Sequence, residues 1–173
     1  MTADMTFNET LLKKIRLLTW FFMMGLFLSG VTAIPLHSEL QLLHKMVANG
    51  AVARGFVPTG FAEWILKVEQ GLSSTNAKYP FLAYGTDWLA FGHIVITIAF
   101  WGAVKDPIRN RWLYDFGLIA CALIIPWALV LGQVRDIPLG WRLIDCSFGV
   151  FGAIPLLIIR HWLSQMNLQA PGL

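Results

Sequence analysis

The sequence has little charge for its length. Only 13% of its 173 residues are Asp, Glu, Lys or Arg, whereas 57% are hydrophobic. A soluble domain has roughly 25% charged and 45–50% apolar residues, so this composition excludes an ordinary water-soluble globule. The net charge of +3 comes from basic residues that flank apolar runs instead of forming a patch. That pattern is typical of membrane spans and argues against nucleic acid as a partner.

Cysteine and recognisable catalytic motifs are also scarce. Cys121 and Cys146 lack CxxC spacing, and their expected depths differ too much for a disulfide, which argues against a thiol-oxidising membrane enzyme. His37, Glu39 and His44 do not share one helical face, which argues against a metal site. No serine nucleophile motif, glycine-rich phosphate loop or HExxH motif occurs. The sequence therefore predicts no metal and leaves any catalytic residue unassigned.

What the sequence does contain is four long apolar runs. About 20 apolar residues suffice to cross a bilayer, and a basic flank followed by a long first run favours an uncleaved span over a signal peptide. These runs predict an all-α integral membrane four-helix bundle that forms a single transmembrane domain over 1–173. The predicted spans are about 17–35, 81–104, 112–134 and 141–162.

A single long polar segment, 36–80, separates the first two spans. Ser38 and Gln41 fit a capping box that starts a short helix ending near Ala48. The pattern from Thr59 to Leu72 predicts an amphipathic helix, which would lie in the membrane interface or cover the bundle. We expect this segment to be the first extracytoplasmic loop.

The positions of the basic residues predict the orientation of the spans. Basic residues in short loops close to span ends favour the cytoplasmic side. This places both termini in the cytoplasm and the long loop outside. The residues that determine this side are Lys13, Lys14, Arg16, Lys105, Arg109, Arg111 and Arg160.

Ionisable residues inside the spans mark a candidate site. Such residues are costly in a membrane and usually face a bundle interior or a wet cavity. Asp87 and Asp145 fall near the outer ends of the second and fourth spans, and Arg142 falls in the same leaflet. One hypothesis is a polar pocket for a head group. The other is an Asp87–Arg142 or Asp145–Arg142 ion pair that holds the spans together.

His93 lies near the middle of the second span. Thr86, Ala90, His93 and Thr97 share one helical face, which predicts a stripe directed toward other protein. A second histidine at matching depth is missing from the sequence, which argues against haem b. A hydrogen bond to a hydroxyl such as that of Ser29, a proton relay and a ligand contact stay open for His93.

Two stretches of the sequence are distinctive, with KDPIRNRW between them: YGTDWLAFGHIVITIAF (Tyr84 to Phe100) and WRLIDCSFGVFGAIPL (Trp141 to Leu156). In these stretches the chain resembles a group of small four-span bacterial integral membrane proteins. This resemblance implies a bacterial inner-membrane location and no particular activity. Size and span count are also similar to EXPERA-type sterol isomerase and receptor bundles, a likeness of architecture that transfers no residue role.

These observations favour a binding module for a lipid-like or isoprenoid ligand. The head group would meet the polar pocket, and the tail would lie along grooves at Gly149–Gly152 and Gly25–Thr32. One alternative is a membrane enzyme in which Asp87, His93 or Asp145 moves protons. Another is an accessory or assembly subunit, either in a homo-oligomer or with a partner in a membrane complex. The sequence does not specify the ligand or the oligomeric state.

Overall fold

The computed structural model describes residues 2–46 and 59–167. All regular secondary structure in these two ranges is helical, which confirms the predicted all-α class. A short 3₁₀ turn, Pro80–Ala83, precedes the fourth helix. The six helices are α1 (Thr2–Thr32), α2 (Leu36–Met46), α3 (Thr59–Lys78), α4 (Tyr84–Lys105), α5 (Arg111–Val134) and α6 (Leu139–Asn167).

Four of the helical segments are long and apolar enough to cross a membrane. Their apolar windows are only 17–28% buried, so most of these side chains lie at the protein surface. Apolar surface of this extent suits contact with lipid chains and supports a multi-pass membrane protein. The segments are Phe7–Thr32, Pro80–Lys105, Arg111–Val134 and Leu139–Met166.

The first two helices begin at other residues than the sequence predicted. α1 begins at Thr2, well before the predicted start of the first span. The stretch directly before that span contains several strong helix formers, which favours a helix there. They are Glu9, Leu11, Leu12, Lys13, Lys14 and Arg16. α2 begins at Leu36, so Ser38 lies inside the helix and the predicted capping box is wrong. The Pro35 carbonyl instead accepts the first helical bond, from the Glu39 N–H at 3.0 Å. The end predicted near Ala48 lies outside the described residues.

The chain divides into two compact units. The terminal unit comprises Met1–Leu26 and Val95–Leu173, and the middle unit comprises Phe27–Ile94. The terminal unit has a continuous apolar core between its helices. Its buried members are Leu11, Ile15, Met23, Phe100, Ala103, Leu113, Tyr114, Cys121, Leu156, Ile159, Leu163 and Met166.

In the terminal unit, α5 and α6 approach each other through glycines. A Cβ added at Gly149 would lie directly against the carbonyl oxygen of Cys121, and one added at Gly152 would lie 3.0 Å from the Cys121 Sγ. A Cβ added at Gly117 would lie 2.7 Å from the Leu156 Cδ1. Small residues allow this close contact, from which membrane helices gain van der Waals packing. Cys121 and Cys146 are both buried free thiols.

A buried hydroxyl pair connects three helices of the terminal unit. The Thr19 and Tyr114 side chains are fully buried, and their hydroxyl oxygens lie 2.9 Å apart. Thr19 Oγ1 donates to the Ile15 carbonyl at 2.8 Å. The Tyr114 hydroxyl also lies 3.3 Å from the Ala103 carbonyl of α4. Both hydroxyls are therefore satisfied, as buried polar groups must be to avoid a desolvation penalty.

Candidate ligand-binding site

The four predicted site residues fall in different parts of the fold. Asp87 and His93 lie on α4 in the middle unit, whereas Arg142 and Asp145 lie on α6 in the terminal unit. At 3.6 residues per turn, Asp87 and His93 also lie on different faces of α4.

His93 lies against the end of α1 inside the middle unit. A Cβ added at Gly30 would lie 2.7 Å from the His93 Cβ and 3.2 Å from the Ala90 carbonyl oxygen. Ala90 is only 1% exposed. The prediction that this stripe faces protein is confirmed for Ala90 and His93. Ala90 and His93 pack closely against the backbone of α1 because Gly30 has no side chain.

The imidazole of His93 has a defined orientation. Its Nδ1 donates to the Leu89 carbonyl oxygen one turn earlier, at 2.9 Å. A carbonyl oxygen can only accept, so Nδ1 carries the proton of this hydrogen bond. The ring is thus oriented by its own helix.

Asp87 lies on another face of α4 and lines an open groove of about 200 Å³. The remaining lining residues are Tyr84, Trp88 and Phe91, so the lining is almost entirely apolar. These three residues are 60%, 56% and 54% exposed, respectively. We call this surface the α4 groove. Three aromatic rings form its surface, and the Asp87 carboxylate oxygens contribute almost nothing to it.

The aromatic rings of the α4 groove form a series of edge contacts. The Tyr84 and Trp88 ring centroids are 5.9 Å apart with an interplanar angle of 84°. The Trp88 and Phe91 centroids are 5.5 Å apart at 85°. Edge-to-face pairs at these distances are favourable because the positive edge of one ring meets the negative face of the next. The series therefore gives the groove a defined shape.

The Asp87 carboxylate makes no hydrogen bond and no ion pair with any residue in the described ranges. It lies in the first turn of α4, where a negative charge interacts favourably with the helix dipole. Side chains lean toward the N-terminus of their helix, so the carboxylate extends toward the membrane surface at which α4 begins. Such a group is available to water or to a ligand.

Arg142, in contrast, is used within the terminal unit. Its Nη1 donates to the Gln133 Oε1 at 2.8 Å and to the Leu129 carbonyl at 3.3 Å. Its aliphatic stem fills the space beside Gly132, where an added Cβ would lie 2.5 Å from the Arg142 Cγ. Arg142 thus ties the start of α6 to the end of α5.

Asp145 does not form the predicted ion pair with Arg142. The Asp145 carboxylate has no hydrogen-bond or ion-pair partner in the described part of the chain. The Arg142 guanidinium instead donates to two acceptors near the end of α5, the Gln133 Oε1 and the Leu129 carbonyl.

The glycines of α6 do not form the expected groove for an apolar tail. The space beside Gly149 is filled by the Cys121 carbonyl and by Ile124, and the space beside Gly152 is filled by the Cys121 Sγ. This part of the prediction is wrong because α5 itself packs on the small residues. Gly25 of α1 has no atom within 4 Å of an added Cβ, so that position stays open.

A polar cluster between α2 and α3 was missed from the sequence. His37 Nε2 lies 2.8 Å from the Ser73 Oγ, and Ser73 Oγ donates to the Glu69 Oε1 at 3.0 Å. His44 Nδ1 lies 3.9 Å from the Glu69 Oε2. In the sequence, Glu39 is the carboxylate nearest to these histidines, and a metal site formed with it was considered and found unfavourable. The available signal was that Glu69 and Ser73 share one face of α3.

The hydrogen-bond directions in this cluster are those of a structural contact. Ser73 has one hydroxyl proton, and it goes to the Glu69 carboxylate instead of to His37 Nε2. A nucleophilic serine requires the opposite arrangement, in which the hydroxyl donates to the imidazole. Over residues 2–46 and 59–167, no group of three His, Cys, Asp or Glu residues could hold a metal ion.

The α4 groove is therefore the candidate site with the clearest chemistry in the described part of the chain. It has an accessible carboxylate and open aromatic surface, whereas Arg142, His93 and the α2–α3 cluster contact neighbouring protein groups. Comparison of the chain with protein-family models, with curated proteins and with solved structures gives no match.

Proposed function

We propose that this protein is an inner-membrane protein with four spans that binds a lipid-like molecule at the outer end of its second span. The polar head group lies at Asp87, and the apolar part of the ligand lies along Tyr84, Trp88 and Phe91. The observation that carries this proposal is the α4 groove, whose surface is almost entirely apolar and which lies beside an exposed Asp87 that has no hydrogen-bond or ion-pair partner in the described ranges. A soluble, fully polar ligand would not need such a lining.

The position of the groove along α4 supports a ligand that resides in the membrane. Trp and Tyr are enriched where a span meets the head-group region, and Tyr84 and Trp88 lie in the first two turns of α4. Asp87 lies between them. A carboxylate at this depth is stabilised if water or a polar head group reaches it. The polar part of a lipid occupies this level of the bilayer.

The charge distribution supports the orientation in this proposal. Four crossings place both chain ends on one side of the membrane. Lys13, Lys14 and Arg16 precede the apolar part of α1, and Arg109 and Arg111 lie in or beside the short α4–α5 connection. Basic residues at such positions favour the cytoplasm. The α2–α3 segment and the start of α4 are then extracytoplasmic.

Binding is better supported than catalysis. An acid–base mechanism through Asp87 and His93 would require both groups to reach one reacting atom, but they lie on different faces of α4. Ser73 donates its proton to a carboxylate and is not activated as a nucleophile. A role as an accessory subunit remains the competing hypothesis, in which a partner helix covers the α4 groove.

Native mass spectrometry of protein extracted in mild detergent tests the proposal. We expect the wild-type protein to retain a stoichiometric lipid-like molecule and Trp88→Ala to lose most of it. The matched control is Trp127→Ala, because Trp127 is an exposed tryptophan of α5 outside the groove. The control should retain the molecule.

Two results would contradict the proposal. One is a wild-type protein without any retained small molecule, even when the purification is supplemented with total membrane lipid. The other is equal loss from Trp88→Ala and Trp127→Ala, which would indicate general detergent stripping. Co-purification of a stoichiometric protein partner that Trp88→Ala releases would favour the accessory-subunit hypothesis instead.

A further inference from the structure

We propose that the terminal unit binds an anionic phospholipid at the membrane surface where α4 ends. This site is separate from the α4 groove, which lies at the opposite end of the same helix. It is formed by a surface that we call the α1–α4 patch. The patch consists of Arg16, Trp20 and Met24 on α1 and of Ile98, Trp101 and Lys105 on α4, all in the terminal unit.

Two contacts join α1 and α4 within the patch. The Arg16 Nη2 donates to the Lys105 carbonyl oxygen at 3.2 Å. One helical turn deeper, the Trp20 and Trp101 ring centroids lie 5.4 Å apart with an interplanar angle of 88°, a favourable edge contact. Residues four apart share a face of a helix. Each helix therefore presents a basic residue and, beside it, a tryptophan on the side that meets the other helix.

The patch has two cations without an ion-pair partner. Arg16 and Lys105 are exposed, and neither forms an ion pair in the described ranges. The nearest acid along α4 and the following connection is Asp106, whose Oδ1 accepts the Arg109 backbone N–H at 3.0 Å. The guanidinium of Arg16 has further N–H donors besides the one that the Lys105 carbonyl accepts. Two such cations on adjacent helices attract an anion, and phosphate oxygens accept hydrogen bonds from both.

The order of residues along the two helices favours a lipid over a free phosphate ion. The Lys105 Nζ lies 5.9 Å from the Trp101 ring centroid, so the charged level directly adjoins the aromatic level. Trp20 and Trp101 are 42% and 45% exposed, and Met24 and Ile98, about one turn further into the membrane, are 53% and 65% exposed. A phospholipid has the same order of phosphate, interfacial glycerol region and acyl chains, whereas a free phosphate would contact the cations alone.

The experiment compares two lipids with identical acyl chains and different net charge. Protein purified in mild detergent is titrated with equal amounts of dioleoyl phosphatidylglycerol and dioleoyl phosphatidylcholine, and the bound fractions are read by native mass spectrometry. We expect the wild type to prefer the anionic lipid about tenfold, and Lys105→Gln to reduce this to about twofold, since one basic residue at an anionic membrane surface contributes roughly a factor of five. Lys105→Arg keeps the cation and should keep the preference.

The matched control is Lys14→Gln. Lys14 is another exposed lysine near the same end of the apolar part of α1, but it lies two residues before Arg16 and therefore on nearly the opposite side of the helix. This variant removes the same charge and should keep the preference. Thermal unfolding of all variants checks that they fold. Inorganic phosphate in large molar excess should not displace the lipid, because it makes no contact with the aromatic and apolar levels.

Each contrary outcome overturns a stated part of the proposal. Equal binding of both lipids to the wild type overturns the anionic site. Equal loss of preference in Lys105→Gln and Lys14→Gln would show that only the overall charge of this membrane face matters, and would overturn the assignment to the α1–α4 patch. Displacement by inorganic phosphate would identify a phosphate site instead of a lipid site. Trp88→Ala, which alters the α4 groove, should leave the preference unchanged, so this test and that of the proposed function fail independently.

Discussion

The buried hydroxyls in the core of the terminal unit have hydrogen-bond partners, whereas the carboxylate at the start of α4 has none in the described ranges. In the core, Thr19 and Tyr114 are fully buried, and each hydroxyl has a partner. At the start of α4, Asp87 is exposed among aromatic rings without a partner in the described ranges. A buried group without a hydrogen bond is strongly unfavourable, and pairing removes this penalty for the two hydroxyls. Asp87 avoids the penalty by exposure, which also leaves its carboxylate accessible.

The two regions also differ in how closely other atoms approach their glycines. Gly149 of the terminal unit lies against a backbone carbonyl of α5, whereas Gly85, in the first turn of α4, has no atom within 4 Å of an added Cβ. The core therefore depends on close helix contact. The start of α4 has open surface instead, which is consistent with a site for a ligand.

The largest effect should come from adding one methyl group to the core. Gly149→Ala should lower the free energy of unfolding by about 3 kcal/mol, because a backbone carbonyl cannot move aside independently. Gly85→Ala should be neutral or raise stability by up to about 1 kcal/mol through helix propensity. Thermal unfolding in detergent, followed by circular dichroism, measures both variants. Similar melting temperatures for the two would contradict the close approach of α5 and α6.

A smaller loss is expected from the buried hydroxyl pair. Thr19→Val and Tyr114→Phe should each lower the free energy of unfolding by about 1 kcal/mol, because each leaves a buried polar group with one partner fewer. The double variant should lose less than the sum, since both changes remove one shared hydrogen bond. Strict additivity in this double-mutant cycle would show that the two hydroxyls act independently.

In the middle unit, Glu69→Ala should weaken the contact between α2 and α3 locally. Ser73 loses its acceptor, and the expected change is about 1 kcal/mol in the local opening free energy. Amide hydrogen exchange measures this as faster exchange in α2 and α3, with α5 of the terminal unit as the internal reference. Unchanged exchange in α2 would mean that the Glu69 cluster does not hold the two helices together.

The smallest effect on stability should come from Asp87→Asn. The carboxylate has no protein partner to lose in the described ranges, so the free energy of unfolding should change by less than about 0.5 kcal/mol. A melting temperature that falls as far as that of Tyr114→Phe would show that Asp87 has a structural partner and would break the contrast between the two regions.

Several features of the fold were predictable because they depend on local composition. The apolar runs around Phe100, Cys121 and Leu156 predicted helices long enough to cross a membrane, and the structure has them. The stripe that contains Ala90 and His93 was predictable from its helical spacing. Residue spacing alone also places Tyr84, Asp87, Trp88 and Phe91 on one side of α4, although the sequence argument used only Asp87.

Other features required knowledge of which helices meet. The α6 glycines were expected to form a ligand groove, but Cys121 of α5 packs against Gly149 and Gly152. An Asp145–Arg142 ion pair was one expectation, but the guanidinium bonds to Gln133. Glu39 is the carboxylate nearest to His37 and His44 in the sequence, but Glu69 of α3 is the one near them in the structure. In each case the partner lies on another helix.

The sequence by itself determined that the chain is helical, apolar and poor in catalytic motifs, because span length and composition follow from local hydrophobicity. Tertiary structure decided which polar residues are used for packing and which remain accessible. Thr19 and Tyr114 form a buried pair, Arg142 links α5 to α6, and the Asp87 side chain is exposed. The physical reason is that hydrogen bonds and close packing depend on the neighbouring helix, and residue spacing along one helix does not specify that neighbour.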